Sequence, residues 1–206
     1  MPQSRRYKKK KSAGKAILAW IIVLAILAAG VFVFVSAFYE DAKKKLDEMN
    51  YPRTYSTYVE KAAKDYDLDP ALIYAVIHTE SGFDPKAESG VGAKGVMQMM
   101  PSSFEWLQEQ RGCAGQYTED DLFDPEICID YGSYLLKYFY DYYGTERSAI
   151  AAYNAGFVVS DWLNDTKYSS DGKNLDSIPY PETENYVDKV EGAKEMYIKL
   201  YYSQSN

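Results

Sequence analysis

The apolar positions of this chain fall into two regimes. From residue 17 to residue 38 no charged side chain interrupts a run that is apolar apart from Gly30 and Ser36. Roughly 20 such residues at ~1.5 Å each cross a hydrocarbon layer of about 30 Å, so the pattern predicts a membrane-spanning helix over 17–38. Beyond it the apolar positions turn periodic. Tyr55, Tyr58, Val59, Ala62 and Ala63 recur at the three-and-four spacing of an amphipathic helix within 54–66. Asp69-Pro70 offers an N-cap and a proline at the first helical position, Leu72, Ile73, Val76 and Ile77 supply a buried stripe, and the helix should run to about Glu80, stopping before Gly82. Pro101-Ser102-Ser103 opens a short helix through Phe104, Trp106 and Leu107. Asp124-Pro125 repeats the capping signal for a long aromatic helix to Tyr143, closed by Gly144. Thr145 starts another helix, and a last one is expected over about 184–202. No segment alternates in the manner of strands. The expected fold class is mainly α.

The chain of 206 residues therefore divides into a basic segment over 1–16, the span over 17–38, a stalk over 39–52 ending in Pro52, and one domain over 53–206. Seven basic residues and no acidic one precede the span. That bias keeps the N-terminus cytoplasmic and places the domain outside, with the bilayer as one partner. A cleaved signal peptide is the rival reading, with Val35-Ser36-Ala37 as a small-residue cleavage site. The length of the run favours the anchor, because secretory apolar regions are about 7–15 residues long.

Charge narrows the partners. Setting aside the seven N-terminal cations from the 23 in the chain leaves 16 basic against 30 acidic residues, about −14 outside. A nucleic-acid partner needs a cationic surface and is not expected. The two cysteines, Cys113 and Cys128, fall in the outer, oxidising part, where a bridge closing about 15 residues could add roughly 3 kcal/mol in the chain-entropy model. They are a candidate disulfide; two separately buried thiols are the alternative. Neither has the spacing of a zinc or redox site, and no metal or other cofactor is expected.

Four short segments carry candidate chemistry: Glu80-Ser81 at a helix end, GAKGVMQMMP over 92–101, AYNAG over 152–156 and PETENY over 181–186. A glutamate that gives up a proton to a substrate near neutral pH needs its pKa raised from about 4.3, by burial or by the negative end of a helix dipole. Glu80, in the last turn of its helix, meets the second condition. In the glycine-rich stretch, Gly90, Gly92 and Gly95 allow close backbone approach, the methionines offer an adaptable apolar lining, and Gln98 can donate and accept hydrogen bonds. A phosphate-binding loop is excluded by the missing Gly-Lys-Ser/Thr ending. Tyr153 and Asn154 sit between alanines before Gly156, as a polar pair on a close-packed turn. Taken singly, Tyr153 and Tyr186 read more readily as core tyrosines with satisfied hydroxyls than as site residues.

In this order the four motifs resemble the soluble lytic transglycosylase (SLT) family, whose goose-type-lysozyme-like domain cuts the glycan strands of bacterial peptidoglycan. The likeness spans roughly 55–202. Val96 and Met99 depart mildly from the usual Leu and Leu/Ile, with apolar volume conserved. The resemblance implies that Glu80 is the single catalytic acid and base, and that Ser81, Gln98, Met100, Tyr153, Asn154 and Tyr186 bind substrate. It further implies cleavage between MurNAc and GlcNAc with formation of a 1,6-anhydro-MurNAc end, without water.

Other readings remain open at this stage. Asp84, Glu88 or Glu182 could act as a second carboxylate and make the enzyme a hydrolytic muramidase. A non-catalytic glycan-binding module of a secretion, division or spore-wall assembly is a different class, against which the presence of Glu80 argues. His78, the one histidine, lies two residues before Glu80 and so off its helix face, which suits a structural role. The 21 tyrosines could include sugar-stacking platforms, but at helical spacing most should pack the core, and none beyond the motif positions is assigned to ligand.

Overall fold

The computed structural model describes residues 7–203, with side chains from residue 14 onward. The first six residues of the basic segment and the last three of the domain lie outside the described residues. Two compact units divide at Asn50.

The first unit is one helix, α1, Tyr7–Asn50. It is long and apolar enough, by length and composition, to cross a membrane. The expected stalk is not a separate element, because the helix continues through it to Asn50. Two i,i+4 ion pairs, Asp41 with Lys45 at 2.9 Å and Lys44 with Glu48 at 3.8 Å, support the charged extension. The turn out of helix comes just before Pro52, which disfavours helical geometry in Tyr51.

The second unit is helical, with no strand among the described residues and two isolated antiparallel bridges, Glu88 to Lys94 and Lys94 to Met99. Its helices are α2 (Ser56–Tyr66), α3 (Pro70–Ser81), α4 (Pro101–Gln110), α5 (Pro125–Tyr143), α6 (Glu146–Ala155), α7 (Val159–Asn164) and α8 (Pro181–Tyr197). Asp69 accepts from the Ala71 N–H at 2.9 Å and Asp124 from the Glu126 N–H at 2.8 Å, each followed by proline. Gly82 and Gly144 end their helices with positive φ, at 59° and 76°. Both capping expectations therefore hold. The last helix begins earlier than expected, at Pro181, and closes in a π turn over Ile198–Tyr202.

Residues 71–77 of α3 are buried without a break, so this helix is apolar on every side and forms the centre of the unit. It packs against α8, while α5 packs against α2 and α6. His78 stacks on Tyr51 with ring centroids 4.8 Å apart, in the structural role expected of it. The short elements not foreseen include α7 and a 3-10 turn, Glu119–Phe123. Each is too short to show a helical period. The turn is nevertheless closed by a capping box in which Asp121 accepts from the Thr118 N–H at 2.7 Å.

Candidate active site

Glu80 stands in the last turn of α3, where the buried helix surfaces. Burial pushes its carboxyl up to about 7 from an ordinary 4.5, and a hydrogen bond from the Tyr186 hydroxyl, at 2.7 Å to Oε1, partly opposes this. Asp84 instead accepts from the Lys86 N–H at 2.9 Å, and Glu88 and Glu182 are exposed.

The glycine and methionine loop over 92–100 is held against this helix end by three polar ties. The Ser81 hydroxyl donates to the Val96 carbonyl at 2.8 Å, and the Tyr153 hydroxyl, from α6, donates to the Met97 carbonyl at 2.9 Å. From below, the buried Cys128 thiol receives the Met97 N–H at 3.4 Å. Burial pushes that thiol up to about 12, so it stays protonated. Tyr153 and Tyr186 are both raised well above the ordinary tyrosine range by burial, and the nearby Glu80 carboxylate adds to it. They act as neutral donors.

Only glycine fits at position 95. Its φ is 76°, and an added Cβ would lie 2.0 Å from the Leu122 carbonyl oxygen. Gln98 also takes a left-handed conformation, φ 47°, which costs a non-glycine residue about 1–2 kcal/mol. Its side-chain NH2 donates to the Ala87 and Gly95 carbonyls, both at 3.0 Å, and so holds the turn from within. On the far side, the buried Lys94 pairs with Glu119 and Asp120, each at 3.1 Å, and fastens the loop to the 3-10 turn. Asn154 accepts from the Thr183 hydroxyl at 2.8 Å. Thr183 and Tyr186 are three residues apart on α8 and share a face, so one helix orients both Asn154 and Glu80.

Of the residues singled out in the sequence, Glu80, Ser81, Tyr153 and Tyr186 converge directly on the helix end and the loop, and Asn154 joins them through Thr183. The polar groups of Ser81, Gln98 and Tyr153 are engaged in holding the loop. Met100 is 38% exposed, and Asn154 is exposed as well. Thr183, Cys128 and Lys94 were missed as supports. Thr183 and Lys94 lie inside quoted motifs, whereas no motif marks Cys128. The Cys113–Cys128 bridge is not formed and both thiols are free. Cys128 points under the loop, while the Cys113 sulfur lies 3.3 Å from the Tyr131 hydroxyl.

An all-helical domain with a part-buried carboxyl of raised pKa at a helix end, faced by tyrosines and a glycine-rich loop, is lysozyme-like. The model of the Transglycosylase SLT domain matches residues 57–175, more than half of the chain, and the protein belongs to that family. The chain is 32% identical over 146 residues to the soluble lytic murein transglycosylase of Escherichia coli, covering 69% of this chain and 23% of that one. It is 30% identical over 170 residues to the membrane-bound lytic murein transglycosylase C of Actinobacillus succinogenes, covering 72% of this chain and 48% of the relative. The crystal structure of the 70 kDa soluble lytic transglycosylase from E. coli superposes with a TM-score of 0.68 at 27% identity, over 76% of this chain and 26% of that one. The chain thus spans about a quarter of the length of the soluble relatives.

Proposed function

We propose that this protein is a membrane-anchored lytic transglycosylase that cuts the β-1,4 bond between MurNAc and GlcNAc in peptidoglycan, with Glu80 as general acid and then general base. The observation that carries this is the state of Glu80. A carboxyl with a pKa of about 7 is populated in both protonation states at neutral pH, as a group that gives and then takes a proton requires.

Protonated Glu80 donates to the bridging oxygen as the C1–O4 bond breaks, and GlcNAc leaves as the alcohol. The 2-acetamido group stabilises the oxocarbenium-like sugar. Glu80, now a carboxylate held by the Tyr186 hydroxyl, removes the proton from the MurNAc 6-hydroxyl, and O6 bonds to C1. The proton count on Glu80 closes, and no water is consumed. One carboxyl suffices for this route. Hydrolysis would instead need a second carboxylate about 5–9.5 Å away to activate water. Met100 and Asn154, the exposed members of the set, contact the sugars, with Gln98, Ser81, Tyr153 and Tyr186 around them.

The apolar helix α1 anchors the protein by a single pass, with the basic N-terminus in the cytoplasm and the domain outside, where it reaches glycan strands near the bilayer. The uninterrupted helix and the likeness to a relative named as membrane-bound support this. The full-length protein in detergent should clear a suspension of purified peptidoglycan. Glu80→Gln should reduce the rate by at least about a thousandfold, the loss of proton transfer and charge stabilisation together. Equal clearing by parent and variant would refute the assignment of Glu80.

A further inference from the structure

Phe157 is an unusual residue to leave in solvent. It lies in the 3-10 turn Gly156–Val158 that follows α6, and it is 49% exposed. Its ring is not isolated. Phe139 lies 5.4 Å away, Tyr142 5.7 Å and Tyr138 6.2 Å, and Tyr138 meets Trp106 of α4 edge-on at 5.0 Å. Tyr142 is itself 58% exposed. From behind, the Tyr143 hydroxyl donates to the Phe157 carbonyl at 3.4 Å and lies 3.1 Å from the Ser160 hydroxyl, so the turn is held in place.

This patch continues the candidate active site. Met97 of the loop sits on Gly132 of α5, where an added Cβ would meet its sulfur at 2.5 Å. Phe139, the seat of Phe157, lies seven residues further along α5. That is close to two helical turns, so Gly132 and Phe139 share one face about 10 Å apart. Met97 and Phe157 therefore rest on the same face of the same helix. The flanking elements are shared as well: α4 begins directly after Met100, and the Phe157 turn directly follows the segment of Tyr153 and Asn154.

We propose that Phe157 and Tyr142, backed by Tyr138 and Trp106, form an aromatic shelf on which further sugar rings of a glycan strand stack, outside the motif residues, giving the protein a preference for long strands. This rests on the glycan reading of the site. A pyranose presents an apolar C–H face with a polar rim, which suits aromatic faces with hydroxyls at their edges. Exposed aromatic surface of this kind marks interaction.

The test uses the full-length protein in detergent, with Glu80→Gln to prevent turnover, titrated with chitobiose and chitohexaose. The Glu80→Gln protein should bind chitohexaose more tightly than chitobiose. Phe157→Ala and Tyr142→Ala, added singly, should each reduce that preference by about tenfold, with the melting profile retained. Phe157→Leu, which keeps apolar bulk without a ring, should lose it as well, and Phe157→Trp should restore it. An unchanged preference in the folded ringless variants overturns the shelf. So does a shift in oligomeric state without a change in preference, which would make a second copy of this chain the occupant. A Glu80→Gln protein that binds neither oligomer nor peptidoglycan removes the glycan reading itself, and the shelf with it.

Discussion

The Tyr186 hydroxyl donates to Glu80 Oε1 at 2.7 Å across 106 residues of chain, and it is the interaction that draws the carboxyl's pKa down against the rise caused by burial. Its loss should act on the proton first. A general acid works in its protonated form, so activity should fall as pH rises through about 7. In Tyr186→Phe the opposing hydrogen bond is gone and the alkaline limb should move to higher pH. The rate below the limb should fall by about tenfold with the loss of a charge-assisted bond. A pH–rate profile checks both, and a limb that moved to lower pH would contradict the electrostatics.

The same carboxyl links stability to pH. Its folded pKa, about 7, lies above its ordinary 4.5, so its stabilising contribution is complete below about 4.5 and is lost as pH rises through 7. Glu80→Gln removes that loss. The variant should match the parent near pH 4 and exceed it at pH 8 by up to about 3 kcal/mol. Urea unfolding at the two pH values measures the difference.

Much of this arrangement was legible in the chain. Asp69-Pro70, Asp124-Pro125, Gly82 and Gly144 announce their helix ends because capping is local chemistry. The four motifs announce the site because their residue types are unusual in combination. The partners of those residues were not legible. That Ser81 and Tyr153 grip the loop carbonyls, that Gln98 turns its amide inward at positive φ, and that Lys94 reaches Glu119 and Asp120 depend on contacts between distant segments. The helical form of the expected stalk was not legible, because i,i+4 ion pairs sustain a helix there without an apolar stripe to announce it. The disulfide was misjudged because compartment and spacing say nothing of where each thiol points.

Gly95 tests how tightly the loop must sit. Alanine there would have to adopt a φ of 76° and pass within 2.0 Å of the Leu122 carbonyl oxygen. Backbone cannot yield as a flexible side chain does, so the loop must shift. We expect Gly95→Ala to destabilise the protein by about 2–4 kcal/mol and to weaken glycan binding, whereas Gly92→Ala, which meets no atom within 4 Å, should cost only the strain of its own conformation. Thermal unfolding of the two variants separates steric conflict from backbone strain.

The two thiols should differ in reactivity. In the native protein Cys113, partly exposed, should react with a thiol reagent, and Cys128, buried beneath the loop, should react only after unfolding. Mass analysis of protein purified without reductant should give the mass of two free thiols.

The central claim concerns where the proton and the new bond go. The most direct measurement is mass spectrometry of the muropeptides released from purified peptidoglycan by the full-length protein, before and after borohydride reduction. Acid and base catalysis by Glu80 alone predicts products lighter by one water than hydrolysed fragments and inert to borohydride, the signature of a 1,6-anhydro end. Fragments of full hydrolysed mass that borohydride reduces would contradict the account, because water would then be the acceptor and a second group would have to activate it.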